Sequence, residues 1–202
     1  MKKQVIFIHG GEAFSDYSAF IEYLKSDNID PYEKPSKRWH QRLQEDLGDE
    51  YEVFLPHMPN SQNAKYLEWK IWFEKYIPFL HDDVILIGHS QGGYFLVKYL
   101  LENGFPIRIK GLYLVAAPFE PDDFGGEDGG DFNFNTAQVP ALEDVSERIV
   151  LFHSKDDFVV PFDHALRYKN ALPKAELFLL EDRIHFWQEA FPELIEDIKA
   201  QK

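Results

Sequence analysis

The chain of 202 residues carries no cysteine and a net charge of −14. This excludes disulfides, thiolate metal sites and a cysteine nucleophile, and it argues against nucleic acid or an anionic membrane as partner, because both demand a basic surface. An apolar share of 45% and an aromatic share of 16% exceed those of a disordered chain, no apolar run approaches the ~18 residues that span a bilayer, and the length suits one domain over residues 1–202 with a single large core.

Lys2 and Lys3 have the charge of a signal-peptide start, but only four apolar residues, Val5 to Ile8, follow before His9, against about 7–15 in a signal core. Residues 3–9 therefore read as a first strand, and a cytoplasmic location is expected for a cysteine-free chain. His9-Gly10-Gly11-Glu12 is the loop at its carboxyl end. A short helix follows over 16–24 with Phe20, Ile21 and Leu24 on one side, then a polar, turn-rich loop over 25–35. Ser36 has the character of an N-cap for a helix through residue 47, along which Trp39, Leu43 and Leu47 recur every four residues, and Gly48 stops it.

A second strand covers 51–55. Beyond a loop over 56–63, Trp69, Trp72, Phe73 and Tyr76 keep the i, i+3, i+4, i+7 spacing of a helix whose aromatic face belongs in the core, ended by Pro78. His81, Asp82 and Asp83 read as a solvated turn rather than metal ligands, and no metal or cofactor is expected.

Residues 84–101 are the stretch from which function is read. Val84 to Ile87 form an apolar strand that runs directly into Gly88-His89-Ser90-Gln91-Gly92, and a helical pattern of Tyr94, Val97 and Leu101 begins at once. Gly-x-Ser-x-Gly between a strand and a helix is a nucleophile elbow: glycines at the flanks let helix and strand approach while Ser90 projects outward. The motif alone is weak, and its context gives it weight.

A fourth strand over 109–116 precedes an excursion at about 118–140 that is rich in Gly, Asp, Asn and Phe and shows no clear period. The fifth strand over 149–153, a helix over 162–171, a sixth strand over 177–180, a loop holding His185 and a helix over 192–200 complete the chain. Strands that are continuous apolar runs and alternate with helices imply a parallel sheet covered on both faces. The fold class is α/β, a three-layer sandwich on a mainly parallel six-stranded sheet. Right-handed crossovers on both faces give the order 2-1-3-4-5-6, with the chain reversal between strands 1 and 3. The loop at Gly10-Gly11 and the turn at Ser90 then meet at the switch point, where ligands bind.

A serine hydroxyl needs a base, and the base needs a group that holds its tautomer. The loops after strands 5 and 6 open on the same edge as Ser90 and offer Asp156-Asp157 and His185. The other seven histidines are set aside by position: His9 and His89 flank the loops themselves, His153 ends a strand, His164 starts a helix, and His40, His57 and His81 precede the serine. An oxyanion needs two preorganised donors, for which the backbone N–H groups of Gln91 and Gly11 are chosen, with Glu12 as the neighbour of Gly11.

With these motifs in place the chain resembles small serine hydrolases of the α/β-hydrolase superfamily, and in particular the retinoblastoma-binding protein nine family and its bacterial relatives. The resemblance rests on His9 to Gly11, Pro56-His57-Met58-Pro59 with the 69–73 helix, the Ser90 motif, Asp156-Asp157, and His185-Phe186 before the last helix. It implies a triad of Ser90, Asp157 and His185. The choice of Asp157 follows from Asp157-Phe158-Val159-Val160-Pro161, which looks like the Asp-x-Val-Val-Pro turn after the penultimate strand in many such enzymes. Two departures stand out: Arg183-Ile184 replaces the family's Gly-Gly or Cys-Gly ahead of His-Phe, and residues 25–48 are longer.

The expected activity is cofactor-free hydrolysis of a small ester, thioester or amide through an acyl-serine. A non-catalytic binding protein on the same fold and acyl transfer to an acceptor other than water are the alternatives. The expected partner is a small-molecule substrate. The acidic stretch from Glu120 to Asp131 leaves the sheet at the edge of Ser90, so as a flap it would repel anionic acyl groups and favour neutral or cationic substrates; as a plain loop it would tuck Phe119, Phe124, Phe132 and Phe134 into the core edge.

Overall fold

The structure is a computed structural model and describes residues 1–32, 37–120 and 128–201. Six strands, β1 (Lys3–Ile8), β2 (Tyr51–Phe54), β3 (Val84–His89), β4 (Ile109–Val115), β5 (Ile149–Ser154) and β6 (Glu176–Leu180), pair in parallel in the order β2-β1-β3-β4-β5-β6. Alternate residues enter opposite cores, as a pleated strand requires. Ile6 and Ile8, Leu86, and Leu112 and Leu114 face one side, while Val5 and Phe7, Ile85 and Ile87, and Tyr113 and Val115 face the other.

Helices α1 (Tyr17–Ser26), α2 (Leu43–Leu47), α3 (Tyr66–Glu74), α4 (Gln91–Asn103), α5 (Asp163–Ala171) and α6 (Pro192–Ala200) complete the chain. The first core is sealed by α3 and α4, with Trp69, Phe73, Phe95 and Leu96 fully buried, and by Tyr168 of α5. Trp39, Leu43 and Leu47 with Leu194 and Ile198 of α6 seal the second. A buried Trp or Phe in such a layer is worth about 3–5 kcal/mol against alanine. α1 buries no residue; it starts where the Asp16 carboxylate accepts the Ser18 N–H at 2.6 Å and rests on Phe14 through Phe20 and Tyr23.

Several sequence expectations are corrected. The helix expected through residue 47 is a 3₁₀ turn over Trp39–Arg42 followed by the short α2; its expected cap, Ser36, lies outside the described residues. Gly48 does end it, with φ 89° and its N–H on Gln44 O. α3 stops at Glu74, and Pro78 sits in the separate 3₁₀ turn Ile77–Phe79. Trp72 is 40% exposed, and Tyr66, one turn before Trp69, takes its place on the buried face.

The excursion is more regular than its sequence suggests. It holds 3₁₀ turns at Gly130–Phe132 and Thr136–Asp144, and the second buries Val139 and Leu142 at the three-residue spacing proper to that helix, with Pro140 inside it. Phe132 is fully buried against Trp69, and Phe119 and Phe134 pack on Tyr168 and Tyr94. The carboxylate of Asp128 takes the Ser15 N–H at 2.9 Å and that of Asp131 the Tyr66 N–H at 2.9 Å. These parts of the excursion are anchored. Phe124 and most of the acidic flap lie outside the described residues. Among the described residues no helix is long and apolar enough to cross a membrane.

Candidate active site

Ser90 leaves β3 at φ 52° and ψ −125°, a conformation that a residue with a β-carbon adopts only under constraint. Its N–H donates to Val115 O at 2.9 Å, and its carbonyl receives Gly93 N–H at 2.9 Å and Tyr94 N–H at 3.2 Å. A β-carbon on Gly92 would stand 2.1 Å from Ile8 O, so only glycine lets the start of α4 sit on the end of β1. The Ser90 side chain makes no cap bond to α4 and is left to the cleft.

The glycine loop lies over this turn. A β-carbon on Gly10 would be 3.2 Å from Ser90 Cβ, and one on Gly11 would be 2.6 Å from Ser61 O. Glu12 N–H donates to Ser61 O and Ala64 N–H to Glu12 O, both at 2.8 Å, which pins the loop to residues 61–64. The Glu12 N–H is thereby taken. Gln91, as the first residue of α4, presents a backbone N–H at the positive end of the helix dipole.

Across the cleft, His185 Nδ1 lies 2.9 Å from Asp157 Oδ2. Asp157 is buried, and its Oδ1 accepts the N–H groups of Val159 and Val160, each at 2.9 Å. With both its oxygens committed as acceptors, Asp157 fixes the Nδ1–H tautomer of His185 and leaves Nε2 with the lone pair. Asp156 is exposed and turned elsewhere: it accepts the Ser154 hydroxyl and, at 3.1 Å, the Ile184 N–H, so it ties the His185 loop to β5 without touching His185. The Ser154 hydroxyl lowers the Asp156 pKa.

Ser90, Gln91, Gly10, Gly11 and His185 line one cleft of about 310 Å³, at the low end for small-molecule sites. A family model described as alpha/beta hydrolase fold matches residues 3–139. The chain belongs to the α/β-hydrolase family. The ydeN gene product of B. subtilis is similar in structure at 20% identity and a TM-score of 0.76, covering 99% of this chain and 98% of that one. A YdeN-like hydrolase from Pectobacterium atrosepticum covers 99% and 90% at 16% identity and TM-score 0.62. A lipase-esterase related protein from Clostridium acetobutylicum covers 99% and 94% at 12% identity and TM-score 0.63. No curated protein matches. These likenesses speak to the fold; the narrower resemblance to the retinoblastoma-binding protein nine family rests on the sequence motifs.

In this α/β-hydrolase several histidines set aside by position hold the site together. His89 Nε2 donates to the carbonyl of His185 at 2.9 Å, with the two rings 4.9 Å apart. His153 Nε2 donates to Val160 O at 2.8 Å and lies 3.6 Å from Asp157 Oδ2. His9 receives Met58 N–H on Nε2 at 2.8 Å, so its proton is on Nδ1, which donates to Gly10 O at 2.6 Å. His40 stacks on Phe7 at 5.0 Å. Burial lowers all four pKa values, that of His40 to about 4.

These shifts set a pH dependence of stability. An unfolded chain protonates these histidines as pH falls through their ordinary value of 6.5, whereas the fold takes up the protons only at lower pH, so stability is full above 6.5 and falls as pH drops below it, for His40 over a window that reaches to about 4. Glu12, raised by burial, works in the opposite sense. Thermal midpoints should therefore decline between about pH 6.5 and pH 4.5, and less steeply in His40→Asn; a midpoint flat over that range would show that the buried histidines are not held neutral.

The His185 loop is also clamped from a segment that no motif connects with it. Trp39 Nε1 donates to Phe186 O at 3.0 Å, Trp39 N–H to Gln188 O at 3.0 Å and Arg38 Nη1 to Trp187 O at 2.9 Å. Spacing along the chain carries no signal for pairs some 147 residues apart. On either side of His185, Ile184 has φ 49° and Phe186 φ 57°. Ile184 is the position at which the resembling family has glycine, and left-handed backbone costs an L-residue about 1–2 kcal/mol. Ile184→Gly should therefore be more stable than Ile184→Ala by about 1 kcal/mol in urea unfolding, the reverse of the usual order, since both lose the side chain and only glycine is at ease there. Alanine equal to or better than glycine would mean that the loop has another backbone conformation.

Proposed function

We propose that this α/β-hydrolase is a serine hydrolase that cleaves a small carboxylic ester, with thioesters and amides as chemically related substrates, through an acyl-enzyme on Ser90. The observation that carries the reading is the buried Asp157–His185 hydrogen bond of 2.9 Å, whose histidine lines the same cleft as Ser90 on its constrained turn. Neighbours whose names include esterase, such as RhEst1 from Rhodococcus sp., are consistent with it.

Ser90 Oγ attacks the substrate carbonyl as His185 Nε2 takes its proton, and the buried carboxylate of Asp157 stabilises the imidazolium that forms. Negative charge gathers on the former carbonyl oxygen. The backbone N–H of Gln91, at the start of α4, and that of Gly11 are the donors assigned to it; the engagement of Glu12 N–H by Ser61 O favours Gly11 over its neighbour. The imidazolium returns its proton to the departing alcohol. Water, deprotonated by the same imidazole, then releases the acid and restores Ser90. The test is turnover of 4-nitrophenyl acetate above the spontaneous rate by wild type; activity that survives intact in Ser90→Ala would remove the reading.

A further inference from the structure

Six arginines occur in the chain, and five of them are ion-paired: Arg42 with Asp46 at 3.1 Å, Arg108 with Asp83 at 2.7 Å, Arg148 with Asp197 at 2.6 Å, Arg167 with Asp163 at 2.7 Å, and Arg183 with Glu193. Arg38 pairs with no carboxylate among the described residues, although the chain has 35 acidic side chains against 21 basic ones. It is also the arginine that lines the cleft with Ser90 and His185. A guanidinium with no carboxylate partner among the described residues, in the same cleft as the candidate nucleophile of so acidic a protein, is the odd feature of this surface.

The guanidinium is held rather than loose. Nη1 donates to Trp187 O at 2.9 Å, and Cζ lies 5.6 Å from the Trp187 ring centre. Among the described residues Nε and Nη2 make no hydrogen bond, and they form the edge with which arginine grips a planar carboxylate in two parallel hydrogen bonds. Its charge reaches the site, since after burial it is among the groups that lower the pKa values of His40 and His89. His40 is therefore neutral at pH 7 and adds no second cation. Glu12, the other charged residue type on the cleft wall, bonds Tyr23 instead of Arg38, and burial raises its pKa.

We propose that Arg38 binds a carboxylate carried by the substrate, so that the preferred substrate is an anionic ester with its carboxylate a few bonds from the scissile carbonyl. The proposal rests on the serine-hydrolase reading and names its substrate class. It runs against the selectivity expected from an acidic flap, because a cationic side chain, Arg38, lines the cleft with Ser90 whatever the net charge of the chain.

Two matched ester pairs test it: 4-nitrophenyl hexanoate against mono-4-nitrophenyl adipate, with the carboxylate on the acyl side, and phenyl acetate against 3-carboxyphenyl acetate, with it on the alcohol side. The readout is the ratio of kcat/KM for the anionic ester to that for its neutral partner. In at least one pair this ratio should exceed one in wild type, fall roughly 10- to 100-fold in Arg38→Gln, the range of a lost charge-assisted hydrogen bond, recover in part in Arg38→Lys, and fall with added salt. Equal losses on both members of each pair would make Arg38 only a strut for the Trp187 loop and overturn the proposal, as would ratios at or below one in wild type.

If no ester is turned over, the two readings still separate. Adipate or 3-hydroxybenzoate should raise the melting temperature of Ser90→Ala, and this shift should vanish when Arg38→Gln is added. A shift that vanishes so keeps the carboxylate site while the hydrolase reading fails. No shift, or one indifferent to Arg38, overturns the site.

Discussion

Ser90→Ala and His185→Ala should each lower kcat/KM on 4-nitrophenyl acetate by ~10³-fold or more, and the double variant should be scarcely worse than either single one, because a nucleophile without its base and a base without its nucleophile fail at the same step. The geometry makes the coupling specific. His185 is buried, its Nδ1 is committed to Asp157 and its backbone carbonyl is held by His89, so the imidazole has one nitrogen left with which to act. Ser90→Ala removes only a hydroxyl, so a thermal midpoint close to wild type there would show that the loss is chemical; His185→Ala empties a buried site beside the Asp157 carboxylate and is read on protein shown to be folded at the assay temperature. Losses that multiply in the double variant would mean that the two residues do not serve one proton transfer.

Asp157→Asn should cost roughly 10³–10⁴-fold in rate, and the reason is tautomeric rather than electrostatic alone. Oδ1 of Asp157 must accept two backbone N–H groups, from Val159 and Val160. An asparagine that keeps its oxygen there turns its amide N–H₂ toward His185 Nδ1. That nitrogen must then accept, the imidazole proton moves to Nε2, and Nε2, the nitrogen assigned to the Ser90 proton, can no longer take it. Asp156→Asn should cost far less, since the amide oxygen of asparagine still accepts the Ser154 hydroxyl and the Ile184 N–H that Asp156 holds now. The reverse ranking would transfer the acid role to Asp156.

The layered fold was legible because its cause is local. Val84–Ile87 of β3 and Ile149–Phe152 of β5 are buried on both faces and therefore read as unbroken apolar runs, and the helices between the strands force parallel pairing. The places where local reading went astray have physical reasons too. A four-residue recurrence of Trp39, Leu43 and Leu47 fits a 3₁₀ turn joined to a short helix as well as one long helix. Trp72 obeys helical spacing yet lies 40% exposed, because the neighbouring elements and not the period decide which stripe is covered.

The site was legible to different depths. Ser90 announces itself through a strand, a tight glycine turn and a helix in direct succession. The two acids after β5 are chemically alike in sequence; Asp157 was singled out by the family resemblance, and the structure turns its carboxylate toward His185 while Asp156 faces the Ile184 backbone. The supports were not legible. His89 and His153 act through contacts to backbone carbonyls, and Arg38 and Trp39 reach the 186–188 loop from the far side of the sequence, so no motif marks them.

Covalent labelling with a fluorophosphonate, followed by peptide mass mapping, tests Ser90 as an activated nucleophile most directly. It needs no knowledge of the natural substrate and requires the serine, its base and the oxyanion donors to act together. The expected result is one adduct per chain on the peptide bearing Ser90, absent in Ser90→Ala and formed much more slowly in His185→Ala and Asp157→Asn. A folded wild-type protein that takes no label, or one whose adduct persists in Ser90→Ala, would contradict the assignment of this cleft as a serine-hydrolase site.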